Sequence, residues 1–183
     1  GLSFVTISAD AYKAMHSRKT PVASFDANIL AFAGDYEKKW FPYTMPISDI
    51  YGLRQAFDNI KNDPYMLERH AKIGNAVRAA VKEAGLELYQ ETGFSNTVTV
   101  FNVPEGTTDT AILTAMKEKC NIMLAGSFGA FAGKVIRIGH MGENAYPEKV
   151  GAVMAGLDLV FKDLGITLKC SLKEAYDRKM SEQ

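Results

Sequence analysis

Arg137 stands in the middle of an apolar run, Val135-Ile136-Arg137-Ile138. Side chains alternate faces along a strand, so Ile136 and Ile138 share one face and Arg137 projects from the other. Arginine is almost never buried without a partner. Its planar fork matches a carboxylate with two parallel hydrogen bonds. The residues alone allow two roles equally: a structural ion pair with an acid elsewhere in the chain, or a clamp for a carboxylate ligand. A second polar group of interest is Thr44, within Phe41-Pro42-Tyr43-Thr44-Met45-Pro46, beside a helix start at Ile47. Backbone N–H groups at a helix start receive anions. The simpler local reading, a rigid turn with a capping hydroxyl, is preferred.

Other familiar chemistries fail on spacing. The glycine-rich stretch Gly126 to Gly133 ends in Gly133-Lys134, as a phosphate-binding loop does, but Phe128 stands at the first glycine position and Val135 at the hydroxyl position. Its glycines do not fit the dinucleotide fingerprint either. No nucleophile elbow or zinc-protease motif is present. Cys120 and Cys170 match no paired metal motif and read as free thiols rather than a disulfide. None of His16, His70 and His140 has a second histidine or a cysteine at ligand spacing, so no metal site is expected. His70 falls on an apolar helix face and reads as a satisfied core histidine. His140 follows a strand, and its role stays open.

The elements that must position these groups are legible from periodicity and punctuation. Leu2 to Ser8 reads as a strand and Asp10 to Ser17 as a helix. Residues 19–46 are irregular, broken by Pro21, Gly34, Pro42 and Pro46. Ile50, Leu53, Phe57 and Ile60 recur at helical spacing. A long helix follows, with Leu67, His70, Ile73, Val77, Val81 and Ala84 on its buried face and Gly85 as its stop. Leu86 to Tyr89 and Thr97 to Val103 read as strands. Asp109 to Lys119 is a helix capped by Thr107 or Thr108. Asn121 to Leu124 and Val135 to Ile138 are further strands. A helix opening at Pro147 carries the stripe Val150, Val153, Met154, Leu157, Val160, Phe161 and Leu164 up to Gly165, and an amphipathic tail spans Ser171 to Met180. From residue 65 this order makes a two-layer α/β sandwich with a small, mainly antiparallel sheet. The first 60 or so residues do not complete a layer and read as the end of another domain. The boundary is expected between residues 62 and 63.

The chain has 183 residues, 47% of them hydrophobic, so it is long and apolar enough to bury a core. Its 21 basic and 21 acidic residues give a formal net charge of +0, which removes the electrostatic footprint of a nucleic-acid or anionic-membrane binder. No apolar run approaches the ~20 residues needed to span a bilayer.

The run Lys134 to Gly142, followed by an acid-containing turn and a long apolar helix, resembles the C-terminal signature of the class V aminotransferases. Among these fold-type I pyridoxal-phosphate enzymes, the pattern is most similar to the alanine–glyoxylate and serine–pyruvate transaminases. Gly1-Leu2-Ser3-Phe4-Val5 resembles the strand just after that family's cofactor lysine. Tyr43-Thr44-Met45-Pro46 resembles its proline-rich segment, with Met45 where a second proline is usual. Arg69-His70 falls where the family often has a similar pair.

The resemblance implies a large-domain tail over residues 1–62 and a small C-terminal domain over 63–183. It implies that Arg137 holds the substrate α-carboxylate and that Thr44 reaches the phosphate of the pyridoxal phosphate in the other subunit of a homodimer. A phosphate-binding tyrosine of some relatives falls at Phe41, which cannot donate. The Schiff-base lysine lies just before the position matching Gly1, so no catalytic residue is expected in this chain, and the chain alone is expected to be inactive. The parent enzyme would transfer an amino group from a small amino acid to a 2-oxo acid such as glyoxylate or pyruvate. Its partner would be a second subunit or the missing N-terminal half. The expected location is cytoplasmic, with a peroxisomal or other organellar one left open. Two alternatives rank below: a desulfurase or lyase of the same family, which Cys120 does not fit, and a non-enzymatic docking half of a split protein.

Overall fold

The computed structural model describes residues 2–25 and 27–182. The chain gathers into two compact units, Gly1–Asp63 and Pro64–Gln183. Gly1, with which the strand resemblance begins, lies outside the described residues.

In the first unit, helix α1 (Ala9–His16) is capped by Ser8, whose hydroxyl accepts the Ala11 amide at 3.2 Å. A 3₁₀ turn at Ile29–Phe32 and the single-turn helix α2 (Asp35–Lys38) punctuate the irregular stretch, and helix α3 (Ile47–Lys61) follows. The strand expected over Leu2–Ser8 does not form. Its residue types suit a strand, but a ladder needs a neighbour, and no strand lies among the described residues of this unit. The rings of Phe25, Phe32, Phe41 and Tyr43 cluster at centroid separations of 5.2 to 6.2 Å and hold the segment that ends in Thr44. Helix α3 has the expected period, yet it buries no residue, and Ile50, Phe57 and Ile60 stay exposed.

The second unit holds the core. Helix α4 (Met66–Glu83) buries His70, Ile73, Val77, Ala80 and Val81. Leu67, expected on that face, is 77% exposed, because the covered stripe begins one turn later, at His70. Gly85 stops the helix in the left-handed region at φ +85°, and Lys169 packs so close that a Cβ there would lie 3.0 Å from it. Strand β1 (Val98–Asn102), helix α5 (Asp109–Cys120), strand β2 (Val135–Gly139), helix α6 (Pro147–Asp163) and helix α7 (Leu172–Ser181) follow. Thr108 caps α5, its hydroxyl accepting the Ala111 amide at 3.2 Å. Pro147 opens α6, where its missing N–H costs nothing. Asp158 on α6 fixes the start of α7 by accepting from the Ser171 hydroxyl and the amides of Leu172 and Lys173 at 2.7, 2.7 and 3.0 Å.

Strands β1 and β2 pair antiparallel, with Val100 opposite Arg137 and Phe101 opposite Ile136. Of the segments expected as outer strands, Leu86 to Tyr89 is reduced to a single bridge, Leu88 to Phe101, and Asn121 to Leu124 forms none; the bridge to Arg137 falls on Ala125, just beyond it. Asn121 turns into the left-handed region at φ 54°, so the segment after α5 meets β2 only at its far end. The fold is therefore α/β with a two-stranded antiparallel sheet. Helix α4 packs on β1 and α7, and α6 packs on α5 and α7. Phe101, Ile136, Ile138, Val77, Leu157 and Phe161 are buried in one cluster between the layers.

Candidate functional site

Alternation along β2 works as its residues require. Ile136 and Ile138 are fully buried on one face, whereas Arg137 is half-buried on the other, where Val135 beside it is also covered. The backbone of Arg137 is gripped by Ala125, whose carbonyl accepts its amide at 2.7 Å. The guanidinium is gripped once, where Nε donates to the Gly126 carbonyl at 2.6 Å. Among the described residues no carboxylate forms an ion pair with it. Arg137 lines a groove with Met123, Gly139, Met141, Asn144 and Lys149, and no acid contributes to that lining. One edge of the fork is thus fixed by the protein, and the groove carries positive charge without internal neutralisation.

The glycine-rich loop supplies the carbonyl that orients Arg137. A Cβ at Gly126 would lie 3.2 Å from the Asp109 carboxylate, so a larger residue there would press that side chain aside. The loop contains a short 3₁₀ turn, Gly129–Phe131. Phe131 packs edge-on against Tyr89 at 5.2 Å, and Phe128 is 80% exposed.

Thr44 lies in the first unit and is exposed. It does not cap α3. That helix begins after Pro46 with no side-chain cap, and the Ile47 amide bonds to the Met45 carbonyl at 2.9 Å. The Tyr43 hydroxyl donates to the Phe25 carbonyl at 3.1 Å, which commits its proton inside the aromatic cluster.

Two histidines have both ring nitrogens engaged by hydrogen-bond partners. His70 Nδ1 lies 2.7 Å from the Met66 carbonyl, and its Nε2 receives the Gly142 amide at 3.0 Å. His140 is fully buried; Nδ1 donates to the Asn96 carbonyl at 3.1 Å and Nε2 accepts from the Thr99 hydroxyl at 2.9 Å. Burial pushes the His140 imidazole below its ordinary value; the hydrogen bond to the Asn96 carbonyl opposes this, and the Arg78 charge lowers it further. The unfolded chain therefore binds a proton that the folded chain resists. Stability from His140 is complete above pH 6.5, the unfolded value, and is lost as pH falls below it toward the folded value. Comparing melting temperatures of wild type and His140→Gln from pH 7.5 to 5 should show the gap narrowing with acid. A gap constant with pH would overturn this account.

Cys120 closes α5 half-buried, with its thiol 3.9 Å from the Gly156 carbonyl, and not on a loop. Both cysteines are free. No three His, Cys, Asp or Glu side chains gather as metal ligands do among the described residues. No described helix is long and apolar enough to cross a membrane. Sequence reasoning singled out Arg137 and Thr44 as candidates. It missed the ties from Arg69 and His70 to the turn after β2, because hydrogen bonds across more than seventy residues leave no local pattern.

A small sheet backed by helices, with an arginine strand beside a glycine-rich loop, is what the resemblance to a fold-type I small domain implies. The comparisons agree. No family model matches the chain. It is 35% identical over 173 residues to an uncharacterised aminotransferase of Methanocaldococcus jannaschii, covering 92% of this chain and 44% of that protein. It is 34% identical over 174 residues to the serine–glyoxylate aminotransferase of Arabidopsis thaliana, covering 90% and 42%. The crystal structure of pyridoxamine–pyruvate aminotransferase from Mesorhizobium loti superposes with a TM-score of 0.86 at 28% identity, over 96% of this chain and 46% of that one. The chain belongs to the class V aminotransferases and spans less than half the length of these relatives.

Proposed function

We propose that this chain is the C-terminal part of an aminotransferase that moves an amino group from a small amino acid to a 2-oxo acid such as glyoxylate or pyruvate. The observation that carries the reading is Arg137. Its guanidinium is oriented by one protein carbonyl, has no acid partner among the described residues, and lines a groove without carboxylates. A substrate carboxylate completes that arrangement with two charge-assisted bonds. Held so, the substrate has one orientation of its Cα–H bond. The exposed Thr44 hydroxyl, not used as a cap, suits a phosphate oxygen, and we assign it to the cofactor phosphate of a second subunit. Pyridoxal phosphate, when bound, supplies the electron sink for amino-group transfer. Of the residues here, Arg137 and Thr44 fit the substrate and that group, whereas Phe41 does not.

In this reading the chain holds no cofactor lysine and is inactive alone. The test is to incubate the isolated chain with equimolar pyridoxal phosphate, reduce with borohydride and map the peptides. Scattered trace labelling is the expected outcome. One lysine of this chain labelled stoichiometrically would overturn the reading.

A further inference from the structure

Arg69 and His70 have no part in the proposed chemistry, yet both leave α4 for the same short turn. Arg69 Nε donates to the Ala145 carbonyl at 2.8 Å, and its guanidinium lies 4.6 Å from the Tyr146 ring centroid. His70, 7% exposed, receives the Gly142 amide on Nε2. A carbonyl accepts and an amide donates, so the Met66 carbonyl fixes the proton on Nδ1 and leaves the Nε2 lone pair free to accept. A neutral imidazole presents a donor and an acceptor on one rigid ring, which this position uses in full.

The turn they hold starts at Gly142 in the left-handed region, φ +55°, and runs through Asn144. Met141 and Asn144 belong to the groove that Arg137 lines. Within itself the turn has the bonds from Asn144 N–H to the Met141 carbonyl and from Ala145 N–H to the Gly142 carbonyl, at 3.1 and 3.0 Å, and Lys149 donates to the Glu143 carbonyl. The turn lies between β2 and α6, and Arg69 and His70 tie it to α4 as well.

We propose that Arg69 and His70 are positioning residues for the carboxylate clamp: α4 fixes the turn after β2, and the turn presents a preformed groove wall to the ligand held by Arg137. The inference rests on the reading of Arg137 as that clamp. Preorganised neighbours of this kind govern ligand affinity more than fold.

The test uses the ¹⁵N-labelled 183-residue chain titrated with pyruvate and followed by NMR. Wild type should show a saturating shift at Arg137 Nε–H, and Arg137→Ala should bind no pyruvate. His70→Phe removes the acceptor and should weaken pyruvate binding about tenfold. His70→Gln, whose amide oxygen can accept the Gly142 N–H, should recover most of that loss. The Gly142 amide resonance should move in the first variant and return in the second, with far-UV circular dichroism unchanged. Should His70→Phe fail to fold, Arg69→Gln carries the same comparison. Pyruvate binding intact in Arg137→Ala overturns the clamp reading. Binding lost there but unchanged in His70→Phe, or in Arg69→Gln, overturns the positioning proposal alone. Equal losses in His70→Phe and His70→Gln do the same, since they point to ring packing. No pyruvate binding by wild type overturns both.

Discussion

Arg137→Ala, made in the complete aminotransferase, is expected to lower kcat/KM for the amino donor on the order of 10²–10³-fold, about 3–4 kcal/mol, while cofactor absorbance is unchanged. The size follows from what is removed. Two charge-assisted bonds to a carboxylate are lost, and the substrate carboxylate enters a groove whose main cation is gone. The split between parameters is informative. If the clamp also orients the reacting bond, kcat falls along with affinity, because a misaligned substrate binds without reaching the reactive geometry. Arg137→Lys is the companion variant. It retains the charge but not the fork, and it cannot hold the Gly126 carbonyl and a bidentate ligand in the same way. It should fall between wild type and alanine. Unchanged amino-donor kinetics in Arg137→Ala would remove the assigned role entirely.

The second large effect concerns the fold that carries the arginine. Phe161→Ala should destabilise the second unit by about 3–5 kcal/mol in urea titration, against a total of roughly 5–15 kcal/mol for an ordinary domain. Phe161 is fully buried on α6 and meets Phe101 of β1 edge to face at 6.4 Å. Its removal leaves a cavity between the helix layer and the strand that pairs with β2. Because Phe101 lies opposite Ile136, the same variant should also loosen the strand that carries the clamp, seen as faster exchange of the Ile136 amide. A midpoint shift worth less than about 1 kcal/mol would mean that the core does not depend on this contact.

Much of this architecture was legible in the residues. Alternation around Arg137 gave its face correctly, because burial on one side of a strand depends on period alone. Helices α4, α6 and α7 announced themselves through stripes and through Gly85, Pro147 and Ser171 at their ends. Strands were less legible, since a strand exists only with a partner. Leu86 to Tyr89 and Asn121 to Leu124 have suitable composition, but the first bridges the sheet at one residue and the second not at all, and Leu2 to Ser8 has no strand neighbour among the described residues. The site divides in the same way. Arg137 was visible as an oddity in its strand. The choice between an ion pair and a ligand clamp depended on which acids lie nearby, and only the tertiary structure shows that none pairs with it among the described residues. Leu67 shows the converse error: a residue with the right period that nothing covers.

Helix α3 has a consequence for the life of the polypeptide in a cell. Ile50, Phe57 and Ile60 form an oily stripe open to solvent. Such a stripe is what holdase chaperones grip and what lets copies coagulate. A surface that sheathes the stripe would shield the chain from both, and that protection is separate from the packing of the second unit.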